Sequence, residues 1–428
     1  MKNNVSSSLP NNWRRNLYIF LSGQFLSGIT SMVVQYSIIW YLTKVTGSAT
    51  ILSFATLLGM IPMVVLSPFV GPIVDRRNKK FLLIITDIIV ALFALILSIS
   101  GTISPEFPLW LVFVSLFIRS VAQTFQMPII QSILPTMVPE AELTKVNGQL
   151  GMIQSANYII APALGAFLFA IVPMNLLILF DVLGAIFGVG LLFFVVIPRI
   201  SAENEKIQIW ADSKFGLQKL VANKGLWYIT LIGSFFMLLF MPVASLYPLM
   251  TMEYFQGTVG QAGLIEVVYS VGALLGGLVI GLFGNWKNRI IPILASFVVV
   301  GVTTGLSGIL PGDQKGFIWF VVLNAIAGFA MPYLETLLMA MIQQSYEPKY
   351  LGRVLGVFNS LMSVTGPVGL IFTGPIADGI GVEKMFIITG IGTFLCGIAI
   401  VLIPKARDYD LSLQKKLAKN KIEVPTEE

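Results

Sequence analysis

A chain of 428 residues that is 56% hydrophobic and only 11% charged cannot cover the surface of a soluble globule, so most of it must face lipid. One cysteine, Cys396, and no histidine exclude an internal disulfide and the usual nitrogen or sulfur metal cages, so neither metal nor cofactor is expected. The net charge of +6 is not a nucleic-acid footprint, because membrane orientation accounts for nearly all of it.

A bilayer crossing needs about 20 mostly apolar residues. Twelve such stretches follow one another, near 17–41, 49–74, 81–101, 109–134, 149–172, 175–197, 225–251, 260–283, 290–310, 317–343, 352–377 and 385–403. They are far too long for barrel strands, which alternate weakly over about ten residues. Backbone groups in lipid must then be satisfied within helices. The predicted fold is all-α, a polytopic membrane protein of twelve transmembrane helices in two pseudo-repeated six-helix bundles. The first stretch exceeds a signal-peptide core, lacks a small-residue cleavage pattern and follows Arg14 and Arg15, which predicts a retained anchor.

Of the 27 lysines and arginines, 23 fall on the side that holds both termini. Only Lys44, Lys315 and Lys384 fall on the other, and Arg119 lies inside a span. Positive residues stay cytoplasmic during insertion. Both termini are therefore predicted on the cytoplasmic face of a bacterial inner membrane, with the chain acting as a monomer.

The longest polar interruption, 198–224, divides the chain into halves at 1–197 and 225–404, with a tail at 405–428. Within it Phe215, Leu217, Leu220 and Val221 form a short apolar stripe flanked by Lys214, Lys219 and Lys224, which predicts a linker helix on the inner membrane surface. Landmarks recur at nearly constant offset: Gly71 and Gly281 are 210 apart, Pro128 and Pro332 204, Pro139 and Pro348 209, Pro162 and Pro367 205. Concordant offsets point to a duplicated half.

After the second stretch, residues 71–80 read GPIVDRRNKK. This resembles the major facilitator loop signature G-x-x-x-D-R-x-G-R-K, keeping Gly71, Asp75, Arg76, Lys79 and Lys80, with Asn78 in place of the second glycine. Asn tolerates the left-handed backbone such a glycine often supplies. Gly71 permits close helix approach, and Asp75 can accept from the free N–H groups of a helix N-terminus. The resemblance implies that Asp75 and Arg76 latch the cytoplasmic gate against the eleventh helix, which opens at Gly352 and Arg353. The matching loop of the second half, 281–289, has Asn285 where an acid would stand, which predicts a weaker latch there.

The fifth stretch carries Pro162 and Gly165 in APALGA, similar to the G-P-x-x-G-G signature of drug-proton antiporters. Proline and glycine would bend this helix and leave a smooth face toward the other half. Gly272, Gly276, Gly277 and Gly281 follow the small-xxx-small spacing of close helix contact.

Six ionisable residues lie within spans, and charge in a bilayer is costly enough to make each a functional candidate. Asp378 ends the eleventh helix and is expected exposed; Asp87 and Asp181 are expected to bond neighbouring helices. The fourth and tenth helices line the cavity in the resembled fold, and Arg119 matches an arginine of its fourth-helix signature. A buried carboxyl favours its neutral form and a nearby arginine the charged one. Glu266 is thus the first choice as proton carrier and Glu335 the second, with Arg119 as the partner charge. At 1.5 Å per residue they lie roughly 9 Å and roughly 27 Å from the outer ends of their helices, too far apart to share a site. Tyr36, Trp40, Phe125, Phe236, Phe240 and Tyr333 are candidate walls for a large amphiphilic substrate. No catalytic nucleophile, metal ligand set or acid–base pair occurs at productive spacing, so an enzyme is not expected.

Taken together, the opening SGQFLSGITSMVVQYSIIWYL, then LFIRS, LTKVNG, FDVLGA, NKGL, GLFGN and YLGRV, look like the bacterial macrolide-efflux proteins of the drug-proton antiporter group, over residues 12–405. The resemblance implies proton-coupled export of macrolides or similar hydrophobic drugs by alternating access. The partners expected are protons, a small hydrophobic substrate and the lipid bilayer. Export of an endogenous metabolite or siderophore is the alternative, and a channel is another. Met331 to Thr336, and Glu335 above all, depart from the resembled pattern and leave the substrate open.

Overall fold

A computed structural model describes residues 12–104, 106–139, 142–197, 209–284 and 286–423. Among them are twelve helical spans long and apolar enough to cross a membrane. In the first half these are α1 (Trp13–Thr46), α2 (Ala49–Arg76), α3 (Lys79–Ile103), α4 (Leu109–Met137), α5 (Leu143–Ile171), and a sixth span made of α6 (Met174–Leu177) and α7 (Phe180–Phe193). The linker helix α8 (Ile209–Ala222) follows.

In the second half α9 (Lys224–Ala244), α10 (Tyr247–Leu249) and a π-turn at Met250–Tyr254 form the seventh span. Next come α11 (Val259–Phe283), α12 (Ile290–Ser307), α13 (Gln314–Ser345), α14 (Pro348–Ile380) and α15 (Val382–Leu402). Two helices close the chain, α16 (Pro404–Arg407) and α17 (Tyr409–Glu423). Most helices outrun the apolar stretches that announced them, because hydrogen bonding continues where the sequence turns polar.

The chain divides into two compact units, one within Met1–Val45 and Ala55–Ile207, the other within Thr46–Phe54 and Gln208–Glu428. The first turn of α2 thus groups with the second unit, which hydropathy gave no reason to expect. The first unit's core gathers Leu17, Phe20, Val70, Leu83, Ile129, Ile133 and Leu192. That of the second gathers Leu226, Phe236, Phe297, Val300, Leu337 and Phe358 among others.

Close approach of α11 and α13 positions the site of the second unit. A Cβ on Gly276 would lie 2.1 Å from the Phe329 carbonyl, and one on Gly328 would lie 2.3 Å from that of Tyr269. Only hydrogen fits there, so the backbones touch. Gly272 belongs to the same seam, whereas Gly277 and Gly281 have nothing within 4 Å and take no part.

Candidate functional site

In the first unit the intramembrane charges find one another. Arg119 on α4 is 3% exposed and donates through Nη1 to Asp181 Oδ1 at 3.1 Å and to Ser31 Oγ at 2.8 Å, while its Nη2 binds Asp181 Oδ2. The pair is bidentate and buried, the geometry guanidinium and carboxylate favour. This corrects the expectation that Arg119 partners the two glutamates: its fork is committed to Asp181. Asp87 accepts from Gln126 Nε2 at 2.7 Å, so both aspartates bond across helices as expected.

Trp40 is fully buried, stacked on Tyr36 at 5.6 Å and edge-on to Phe169 at 6.5 Å. A Cβ on Gly165 would meet the Trp40 ring at 3.3 Å and the Val33 carbonyl at 3.5 Å. Gly165 therefore packs α5 on α1 of its own half, where the indole takes the space the missing side chain leaves. Pro162 lies inside α5. Phe125 packs against the first unit's core.

Gly71, Asp75 and Arg76 fall in the last turns of α2, and their side chains lie outside the described residues. The rest of that loop is defined. Asn78 is extended (φ −66°, ψ 109°), not left-handed as anticipated, and its side chain caps α3 by accepting from Phe81 N at 3.3 Å. Lys79 and Lys80 donate to the carbonyls of Ser132 and Val195 at 3.0 and 2.9 Å, tying the loop to the ends of two neighbouring spans. Asn285 also lies outside the described residues.

The second unit holds a cavity of about 230 Å³ lined by Met237, Phe240, Met241 and Ala244, by Tyr247, by Ile265, Glu266 and Tyr269 of α11, and by Asn324, Met331 and Glu335 of α13. Glu266 and Glu335 thus line one cavity, and the expectation that they cannot share a site is corrected. Counting from separate helix ends misjudged the register. Asn324 Nδ2 donates to the Ile265 carbonyl at 2.8 Å, which sets the two helices level at that point. From there Glu335 lies about 15 Å farther along the axis than Glu266. Tyr269 and Met331 line the interval, so the space is continuous between two levels. The lining holds two carboxyls and no basic side chain.

Of the aromatic candidates only Phe240 reaches this cavity. Phe236 stacks on it at 5.1 Å and otherwise packs edge-on to Phe297 at 5.4 Å, inside the core. Tyr333 turns to Trp286 at 5.8 Å and Phe329 at 5.9 Å. Among the lining residues that sequence reasoning missed is Asn324. Its signal was a lone amide in the apolar run VVLNAIAGF.

The linker helix does more than lie on a surface. Phe215 packs on Tyr350 at 5.4 Å, Arg353 sits over Phe215 at 5.2 Å, and Lys219 sits over Tyr350 at 5.0 Å. It is docked on the start of α14. At the other end of α14, Asp378 is exposed as expected but has a partner. It accepts from Ser48 Oγ at 2.8 Å and from the main-chain N–H groups of Ala49 at 2.6 Å and Thr50 at 3.0 Å.

These helices, their halves and their paired motifs have counterparts. The sequence matches the Major Facilitator Superfamily over residues 20–251 and again, overlapping, over 231–424. The chain belongs to the Major Facilitator Superfamily. It is 39% identical to macrolide efflux protein A of Streptococcus pyogenes over 94% of this chain and 99% of that protein. It is 24% identical to the multidrug efflux pump Tap of Mycolicibacterium fortuitum, again over 94% and 99%. Among solved structures, the nucleoside transporter NupG superposes with a TM-score of 0.71 at 15% identity, covering 91% of this chain and 99% of that one. A bacterial homologue of the iron transporter ferroportin, inward-facing, gives 0.71 at 14%, covering 91% and 98%. At such identities the likeness is one of fold. This superfamily member is a multi-pass membrane protein of a transporter family.

Proposed function

We propose that this transporter exports macrolides or similar hydrophobic drugs in exchange for protons, by alternating access of its two halves. The observation that carries the proton arm is the cavity that holds Glu266 and Glu335 and no basic side chain. A carboxyl in a largely apolar cavity with no basic side chain in its lining can hold a proton and release it when the cavity opens to the other side. Glu266 is the primary carrier and Glu335 the second. At about 230 Å³ the cavity is below the roughly 300–1,000 Å³ of drug-sized pockets, so it suits protons and ordered water. The drug itself needs more room.

The drug arm rests on the 39% identity to macrolide efflux protein A. The loop signature supports a latch at Asp75 and Arg76 on the face that also carries both termini, and the basic asymmetry supports a cytoplasmic placement of that face. Rocking of two repeated halves about a central site is the movement such an architecture permits.

The test is drug-driven proton movement in proteoliposomes, with erythromycin as the probe. The native protein should exchange and Glu266→Gln should not, while remaining folded and inserted. Full exchange by the variant would remove Glu266 from the mechanism. In a pump-deficient host, resistance should vanish with an uncoupler; no change across macrolides would shift the reading to an endogenous metabolite.

A further inference from the structure

Asn324 is a polar side chain of the cavity that this reading leaves without a task. It is 2% exposed and stands in an apolar stretch of α13. Its Nδ2 donates to the main-chain carbonyl of Ile265 at 2.8 Å. A carbonyl oxygen can only accept, so this contact decides which end of the amide faces α11. The other end is decided with it. Oδ1 is buried and has no hydrogen-bond partner.

An unsatisfied buried acceptor is costly in a low dielectric, and each one calls for an explanation. Four lining groups could supply the missing donor: the carboxylic acids of Glu266 and Glu335, and the phenols of Tyr247 and Tyr269. Glu266 directly follows Ile265, whose carbonyl holds the amide, and both Glu266 and Asn324 line the cavity at this level. Glu335 stands about 15 Å farther along. Tyr247 is held in an aromatic cluster, its ring 5.5 Å from Phe320 and 5.1 Å from Phe386. Tyr269 lies one turn beyond Ile265, in the interval between the glutamates.

The α9 wall of the cavity is apolar, and α12, packed behind α13, has no ionisable side chain. In the π-turn, Glu253 lies beside Gly47 and the Tyr254 hydroxyl donates to the Leu310 carbonyl; neither lines the cavity.

We propose that Asn324 is a positioning residue for the carried proton, its Oδ1 accepting the hydrogen bond of the protonated Glu266 carboxyl. The inference rests on Glu266 being the carrier. When the proton leaves, the carboxylate has no hydrogen to offer, and its lone pairs oppose those of Oδ1. The amide therefore distinguishes the loaded cavity from the empty one and favours the loaded form. The Ile265 contact keeps it from turning its NH₂ inward to serve the carboxylate instead.

Two readouts on the full-length protein in proteoliposomes test this. The first is the pH midpoint of erythromycin-driven proton movement. The second is the infrared band of the protonated carboxyl, assigned by its loss in Glu266→Gln. In Asn324→Leu the midpoint should fall by about one pH unit, and the band should move to higher wavenumber as the hydrogen bond disappears. Asn324→Ala removes the amide without adding bulk and should give the same shifts if the leucine variant fails to insert. A packing role would lower the amount of protein and leave both readouts in place, which would overturn the proposal even with Glu266→Gln inactive. A shift of the same size in Tyr247→Phe or Tyr269→Phe would assign the donor to a phenol and overturn it as well. Full exchange by Glu266→Gln would instead remove the carrier, and the proposal with it.

Discussion

Asp410 of the C-terminal helix accepts three hydrogen bonds from Arg289, 121 residues earlier. The Arg289 main-chain N–H reaches Oδ2 at 2.6 Å, while Nε and Nη2 reach Oδ1 at 2.9 and 2.5 Å. Asp410 is fully buried and Arg289 only 6% exposed. Arg289 ends the loop whose expected acid is Asn285, so the second half draws a carboxylate from its own tail. The Gln414 amide adds a bond to Asp410 at 3.1 Å and one to the Trp286 carbonyl at 3.2 Å.

Removing one partner of this pair strands a buried charge. Asp410→Ala should therefore destabilise the second unit by about 3–5 kcal/mol, read as a lowered melting temperature in detergent. Replacing both partners, Arg289→Met with Asp410→Leu, should recover much of the loss. A melting curve unchanged in Asp410→Ala would sink the clamp.

Arg119 and Asp181 obey the same logic inside the membrane. Arg119→Ala and Asp181→Ala should each reduce folded, inserted protein more than the double variant does, because only the singles leave a buried charge alone. Arg119→Lys should not rescue, since an ammonium cannot span both carboxylate oxygens. Additive losses across the cycle would mean that the two do not act as a pair.

Asp378 caps a helix that begins 329 residues before it. With Ser48 Oγ accepting from Ile51 N at 3.4 Å, the three amides at the start of α2 are all satisfied. Asp378→Ala should cost about 0.5–2 kcal/mol and speed hydrogen exchange at Ala49 and Thr50 specifically. Exchange unchanged at those two amides would refute the cap.

The tail contacts also predict an alkaline limit. Tyr346 donates to the Lys219 carbonyl at 3.2 Å, and burial pushes its phenol from 10.0 up to about 12. Asn223 Nδ2 donates to the Tyr409 hydroxyl at 2.7 Å, and Ser345 spends its own proton on Met341. Tyr409 must therefore donate to Ser345, at 2.6 Å, and burial likewise holds its phenol above the ordinary range. Below pH 10 the folded and unfolded phenols are both neutral and contribute no pH dependence. Above it the unfolded state loses protons first, so stability should fall as pH rises from 10 to about 12. Limited proteolysis of the tail against pH would show this, with Tyr346→Phe blunting the fall. A flat profile across that window would contradict it.

Much of the fold was legible because each feature is local. Each span announces itself by some twenty apolar residues, whereas the caps at Asn78 and Asp313 emerged only with the structure. The cavity was half legible. Glu266 and Glu335 stood out as charges in apolar runs, but their shared space depends on the register of α11 against α13, fixed by Gly276, Gly328 and the Asn324 amide. Aromatic residues misled for a related reason. Trp40, Phe236 and Tyr333 look alike in sequence whether they face a cavity or a core, and packing sent all three to the core.

What the sequence determined by itself is the set of helices, their division into two halves and the asymmetry of their basic residues, because lipid demands apolar length and satisfied backbone wherever a chain crosses it. What only the tertiary structure decided is which partner each polar group takes. Arg119 pairs with Asp181, Arg289 with Asp410, and Asp378 with the start of α2, across 62, 121 and up to 330 residues. A buried charge takes whichever counter-charge or free N–H the packing brings within about 3 Å, and no local pattern records that choice.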